Sequence, residues 1–230
     1  MGKKIAIIQS NYIPWKGYFD IINAVDEFII YDDVQYTKND WRNRNKVKAN
    51  NGAQWLAIPV NHNLSLKIKE IKVVNNLWRR KHWNTLIANY TKAACFKDYK
   101  DRFEALYLGG KEEFLSEINY AFFKEINALL KIRTKLSWVW DYNSEGDRIE
   151  RLINLCKQTD ADEYLSGPSA RGYIDETVFR KNNIKISWMD YDNYPVYNQL
   201  YPPFEHGVSI LDLIFNEGEN APLYMKSYTH

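Results

Sequence analysis

The sequence predicts an α/β protein, a Rossmann-like parallel sheet carrying a helical insertion. Three observations lead there. Residues 4–8 and 27–31 are apolar runs flanking a segment of helical spacing at 19–25, and strand, loop, helix and strand in that order form the βαβ unit of a parallel sheet. The alternation returns late in the chain, where residues 133–140, 163–165 and 184–191 read as strands separated by helical stretches at 144–159 and 176–182. Between these halves, residues 76–131 carry aromatic and Leu/Ile stripes at three- and four-residue spacing, the pattern of amphipathic helices.

Each element has a local justification. The first strand is closed by polar Gln9, Ser10 and Asn11, and Pro14 and Gly17 punctuate the loop after it. The second ends in Asp32-Asp33. Residues 34–53 are polar and rich in Asn, Lys and Arg, whereas 54–60, QWLAIPV, are apolar. Residues 67–73 alternate Ile, Ile and Val with Lys and Glu, like a half-exposed strand. Gly109-Gly110 interrupts the helical region. Ser144, with Asp147 three residues on, suits a helix cap. The tail has Pro195, Pro202 and Pro203 before a last helical stretch at 209–215. The organisation expected is an α/β core of residues 1–75 and 132–230, with 76–131 as a helical subdomain of the same domain.

A chain of 230 residues can bury a substantial core. Its 31 basic and 29 acidic residues nearly balance, which argues against a dedicated nucleic-acid binder. Aromatics reach 15%, a high share that suits a core, a stacking pocket or an interface. Cys95 and Cys156 belong to no metal spacing or CxxC pair and read as small apolar side chains, in keeping with a reducing compartment. The opening MGKKIAIIQ has too short an apolar run for a secretory leader. No run approaches transmembrane length. A cytoplasmic protein without membrane insertion is therefore expected.

Ligands of open α/β sheets bind at the carboxyl ends of the strands. Three polar clusters follow predicted strands directly: Gln9 to Tyr12, Asp32 to Tyr36, and Ser166 to Arg171. The first continues through Pro14, Trp15, Gly17 and Tyr18. This spacing resembles the loop of nucleotidylyltransferases and class I synthetases, with Trp15 and Tyr18 where those proteins carry histidines. In them the loop lies under a nucleotide phosphate at a helix N-terminus. Without the histidines the resemblance concerns fold more than adenylation chemistry, and a Pro-Gly turn with packed aromatics is the alternative.

Asp32 and Asp33 sit at the expected edge, where a carboxylate serves as a general base or a Mg²⁺ ligand; a solvated turn or cap is the alternative. In KNDWRNRNKVK, residues 38–48, an extended chain would set Trp41, Asn43, Asn45 and Val47 on one face and Arg42, Arg44, Lys46 and Lys48 on the other. An indole beside cations can stack on a base or sugar while phosphate is held; a solvated basic loop is the alternative. The turn SGPSAR could offer backbone N–H groups to an anion beside Arg171, or be a plain turn. His82 and His206 have no visible partner. No metal-binding, P-loop, dinucleotide or GxSxG motif occurs, so no metal site is assigned.

The segments IAIIQSNYIPWKGYFDII, FIIYDDVQYTKNDWRNRNKVK, WLAIPV, YLSGPSARGYIDE and YPVYNQLYPPFEHGVSILDLIFN span nearly the whole chain. Together they resemble the WbqC-like family of bacterial polysaccharide gene clusters. Ser10 departs from the family's usual Pro, which bears on the stiffness of the loop, and Glu205-His206-Gly207 falls in a variable stretch. The resemblance implies a transferase of O-antigen, capsule or lipopolysaccharide synthesis. Its expected reaction moves an acyl or aminoacyl group, such as glycyl, to the amine of a nucleotide-linked amino sugar. It carries over Gln9, Asn11, Trp15, Asp32, Asp33, Tyr36, Trp41, Asn43, Arg44, Asn45, Ser166, Ser169 and Arg171, with Tyr18 as a further substrate contact. Asp32 or Asp33 would accept the amine proton, with Gln9 and Asn11 in the catalytic group. Arg44 and Arg171 would bind phosphate. Trp41 or Trp15 would stack on base or sugar. Amide formation needs an activated donor: an acyl adenylate from ATP and Mg²⁺, acyl-CoA or aminoacyl-tRNA. Except for that last donor no nucleic-acid partner is expected. The alternatives are a non-catalytic module that binds a nucleotide sugar or glycan, and a glycosyl transferase.

Overall fold

A computed structural model describes residues 2–61 and 65–228. The elements run β1 (Lys3–Ile8), α1 (Lys16–Asn23), β2 (Glu27–Ile30), β3 (Arg44–Ala49), β4 (Gly52–Ala57), β5 (Val60–Asn61) and β6 (Lys72–Val73). Three helices follow, α2 (Leu77–Tyr90), α3 (Phe96–Gly109) and α4 (Leu115–Leu129). The rest is β7 (Lys135–Trp138), α5 (Arg148–Gln158), β8 (Ala161–Ser166), α6 (Glu176–Lys181), β9 (Lys185–Trp188) and α7 (Ile210–Glu217).

Five of the strands form one sheet in the order β7-β2-β1-β8-β9, every neighbouring pair parallel. Numbered by their succession in the sheet this is 3-2-1-4-5, the Rossmann order, with its reversal between β1 and β8. The apolar runs of β1 and β2 are continuous because both sheet faces are covered. Ala6, Phe28 and Ile30 pack into one buried cluster with α1, α4 and α7, while Ile5, Ile7 and Ile29 pack into another with α5 and α6. The expected α/β sheet is therefore present. The helical region shares its core: Phe123 of α4 meets Tyr18 of α1 at 5.3 Å and Phe19 at 5.9 Å between ring centroids.

Several local expectations are corrected. Residues 67–73 hold a 3₁₀ turn at Ile68–Glu70 and then the two-residue β6, with Ile68 and Ile71 both buried instead of alternating with solvent. Asp147, not Ser144, caps α5: its carboxylate accepts from the N–H groups of Ile149 and Glu150, and Glu150 returns the bond to the Asp147 N–H. The run at 54–60 joins no main-sheet strand. It supplies β4, which pairs antiparallel with β3 in a separate hairpin.

Candidate functional site

β1 ends at Ile8, and residues 9–15 cross the carboxyl edge of the sheet to α1. Buried polar bonds fix this loop. Asp32, fully buried just beyond β2, accepts from the Ser10 N–H at 2.8 Å and from the Ser10 hydroxyl at 2.7 Å. Burial raises the pKa of the Asp32 carboxyl, against the Ser116 hydroxyl, these Ser10 bonds and the nearby Arg42 charge. Asn119 of α4 donates to Ser10 Oγ at 2.9 Å and to the Arg42 carbonyl at 3.0 Å. Asn45 of β3 donates to the carbonyls of Tyr12 at 3.1 Å and Ile13 at 3.0 Å. Ile13 has φ +36°, which a β-branched residue avoids, so Asn45 holds a strained turn that delivers Pro14 and Trp15. A Cβ at Gly17 would lie 2.3 Å from the Trp15 ring; only glycine lets that indole fold back onto the first turn of α1.

This loop borders a cavity of about 320 Å³, lined by Asn11, Pro14, Trp15, Trp41, Asn45, His206 and Gly207. Trp15 is braced edge-on by Tyr191 and Tyr194, at 5.2 and 5.5 Å between centroids. Beside it the Arg42 guanidinium donates to the Asn11 side-chain oxygen and, at 2.8 Å, to Gln9 Oε1; Asp40 stands 3.5 Å away. His206 comes from the long segment before α7. Partial burial and then the Lys16 ammonium hold its imidazole below the ordinary histidine range, against Glu205. Lys16 itself is buried, donates to the Pro195 carbonyl at 2.7 Å and lies 5.1 and 5.2 Å from the ring centroids of Tyr194 and Tyr197. Burial pushes its amine down to about 8.

The segment with His206 is fastened to β3 and to the opening loop. Lys48 donates to the Pro203 carbonyl at 2.5 Å, the Ser209 N–H to the Lys46 carbonyl at 2.8 Å, and the Ile210 N–H to the Pro14 carbonyl at 2.9 Å. The WbqC-like protein family matches residues 9–224, from the first residue of the loop past the whole of this segment. The chain belongs to that family. An uncharacterized protein of Mycobacterium tuberculosis (strain ATCC 25618 / H37Rv) is 49% identical over 226 residues, covering 97% of this chain and 98% of that protein. No solved structure matches.

In this WbqC-like protein the three polar clusters share the carboxyl edge, because β1, β2 and β8 are parallel neighbours. Their side chains do not share one cavity. Asn11, Trp15, Trp41 and Asn45 line it, and Gln9 joins through Arg42. Asp32 is sealed under Ser10. Asp33 is drawn into an ion cluster with Lys69 at 2.6 Å, Lys67 at 3.0 Å and Arg151 at 3.4 Å; burial would raise its pKa, but the lysines outweigh this and lower it. Tyr18 donates to the Gln9 carbonyl at 2.8 Å from within the core, and Tyr36 is buried. Asn43 donates to the Ile58 carbonyl at 2.8 Å. Arg44 lies over the Trp55 ring at 4.4 Å, so the guanidinium beside the cavity is that of Arg42. Ser166 is buried, while Ser169 and Arg171 are exposed on a 3₁₀ turn, with Arg171 5.3 Å from the Trp188 ring. Pro14, Arg42, His206 and Gly207 are the site groups that the sequence left unassigned. The adjacency of Arg42 to Trp41 was the one available signal. Nothing in the sequence ties His206 to residues nearly two hundred positions earlier.

Proposed function

We propose that the cavity is the acceptor site of an acyl- or aminoacyl-transferase that modifies the amine of a nucleotide-linked amino sugar in surface-polysaccharide synthesis. The observation that carries this reading is one cavity with two indoles, two amides and an uncharged imidazole at the carboxyl edge of a Rossmann-ordered sheet. Its volume is at the lower end for ligand pockets, which suits one sugar ring with the nucleotide extending outside. Trp15 and Trp41 offer apolar faces to the ring. Asn11 offers hydrogen bonds to its hydroxyls. The Arg42 guanidinium donates to two neutral amides and has Asp40 3.5 Å away, and its remaining donors can serve a phosphate.

His206 is the base in this reading. A histidine with a lowered pKa is neutral at neutral pH and ready to take a proton. The sugar amine attacks the acyl carbonyl, the bond to the activating group breaks with its electron pair, and His206 takes the proton the nitrogen sheds. Asp32 and Asp33 leave this role vacant, one being enclosed and the other ion-paired.

The test incubates the protein with a uridine- or deoxythymidine-linked amino sugar and, in turn, an acyl-CoA, ATP–Mg²⁺ with a free acid, or an aminoacyl-tRNA, and reads products by mass spectrometry. An N-acylated nucleotide sugar is expected. His206→Ala should lower kcat on the order of 100-fold with KM little changed. Release of free nucleoside diphosphate would replace this reading with glycosyl transfer. A thermal shift with the nucleotide sugar but no product from any donor would replace it with a binding module.

A further inference from the structure

Helix α2 and the β3–β4 hairpin enclose an open groove of about 1080 Å³, separate from the cavity. Its walls are rich in amides: Asn50, Asn51 and Gln54 from the hairpin, and Asn75, Asn76 and Asn84 from α2 and the turn before it. Arg80 and Lys81 also line it. The groove continues into a second recess, which shares Gln54, Asn75, Leu77, Lys81 and Thr85 with it and adds Trp55. Trp55 stacks against Trp41 at 5.4 Å between centroids, tilted by 35°, and Trp41 lines the cavity. Both indoles are 43% exposed. Together they bridge the groove and the cavity.

The charges are one-sided. Arg44 and Lys46 lie over Trp55, at 4.4 and 5.2 Å from its ring centroid. Among the described residues no carboxylate lines either recess, and none of Arg44, Lys46, Arg80 and Lys81 forms an ion pair. A neutral glycan would use the amides and indoles but leave these cations unmatched. A single strand of nucleic acid uses all three: phosphates meet the cations, bases stack on half-exposed indoles, and base edges bond to amides. We infer that this groove binds the single-stranded 3′ end of an RNA whose terminal ribose carries the acyl group, with Trp55 and Trp41 leading that end to the cavity. The inference rests on the transferase reading and names its donor. The sugar amine attacks the ester carbonyl and the carbonyl–oxygen bond to ribose breaks. The ribose oxygen leaves with the electron pair and receives the proton that His206 took from the amine, so free RNA and an amide are the products. The nearly balanced total charge is compatible with this, because the contact is local.

The test is fluorescence anisotropy of the full chain with a labelled twelve-nucleotide single-stranded RNA, read across a salt series, alongside the thermal shift with the nucleotide-linked amino sugar. Salt-dependent binding is expected. Arg80→Glu with Lys81→Glu should weaken it and reduce the log–log salt slope by about two. Trp55→Ala should weaken it about tenfold at every salt concentration, and Trp55→Phe should restore most of that, a pattern that lost folding or lost charge alone would not give. The Arg80→Glu, Lys81→Glu double variant should keep the wild-type sugar shift. A sugar shift without RNA binding overturns this inference and leaves the transferase reading standing. So does displacement of the RNA by dextran sulfate of equal charge with no effect of Trp55→Ala, which would mark the groove as a generic site for acidic glycans. RNA binding without any sugar shift would instead undo the acceptor assignment.

Discussion

Glu27 at the amino end of the sheet and Asp32 at the carboxyl end use their oxygens in opposite ways. At the amino end, Glu27 is fully buried and saturated by partners: Lys3 at 2.7 Å, Lys135 at 3.0 Å, and the hydroxyls of Ser137 and Tyr142. Glu163 is treated alike by Lys4 at 2.9 Å, Ser187 at 2.7 Å and Lys185 at 3.5 Å. At the carboxyl end Asp32 forms no ion pair among the described residues. Both of its oxygens accept from Ser10, holding a backbone loop, while Arg42 donates to two neutral amides and stands 3.5 Å from Asp40. Around Glu27 and Glu163 the opposite charges satisfy one another. Where a carboxylate holds the backbone instead, a guanidinium and two indoles stay available to a ligand.

The largest expected effect comes from Asp32→Ala. It strips two buried donors of their acceptor and should lower stability by about 3 kcal/mol, read as a drop in Tm, with binding of the nucleotide sugar lost as well. An unchanged Tm would dissolve the contrast between the two ends. Next is Gly17→Ala, whose methyl would displace Trp15. Nucleotide-sugar affinity, measured by calorimetry, should fall about tenfold, with roughly 1–3 kcal/mol lost from stability. Equal affinity would remove Trp15 from the site.

Two pH experiments follow. Glu27 titrates at about 2 in the fold: burial opposes this, but Lys3, Ser137, Tyr142 and Lys135 outweigh it. A carboxyl whose folded pKa lies below its unfolded value stabilises above the unfolded value, here about 4.5, and that contribution disappears as pH falls towards 2. Glu27→Gln should therefore flatten stability across that window in an acid titration followed by circular dichroism. At the other end, the acid limb of the kcat profile should fall below the ordinary histidine range, vanish in His206→Ala and persist in Asp33→Asn. A limb lost in Asp33→Asn would return the base to that carboxylate. The smallest effect belongs to Arg171→Ala, which should alter nucleotide-sugar affinity less than twofold, because its side chain lies over Trp188 outside the cavity.

Much of the scaffold was legible in the sequence because strands buried on both faces announce themselves as apolar runs, as residues 5–8 and 28–30 do. The edge on which the polar clusters stand followed from parallel topology. What the sequence withheld was direction within that edge. Asp32 and Asp33 are adjacent, yet one points into the core and the other towards lysines, because successive side chains of extended backbone diverge. Arg42 and Arg44 also look equivalent in sequence. The chain bends through residues 37–43 before β3 begins at Arg44, so the two guanidiniums have different neighbours. His206 was invisible for another reason: its place depends on backbone bonds from Ser209 and Ile210 to the hairpin and the first loop, and such contacts leave no pattern in side-chain types.

Those same bonds have a consequence for synthesis. A ribosome delivers this chain from its amino end, so the residues of the loop 9–15 and of its braces Asp32, Asn45 and Asn119 have been joined when only about half of the polypeptide has been made. The far wall, His206 and Gly207, arrives near the end, with the clasp at Ser209 and Ile210 just behind it. Because Trp15 and Lys16 also lean on Tyr191, Tyr194 and Pro195, a chain that stops short of these residues lacks both the imidazole and the supports of the near wall.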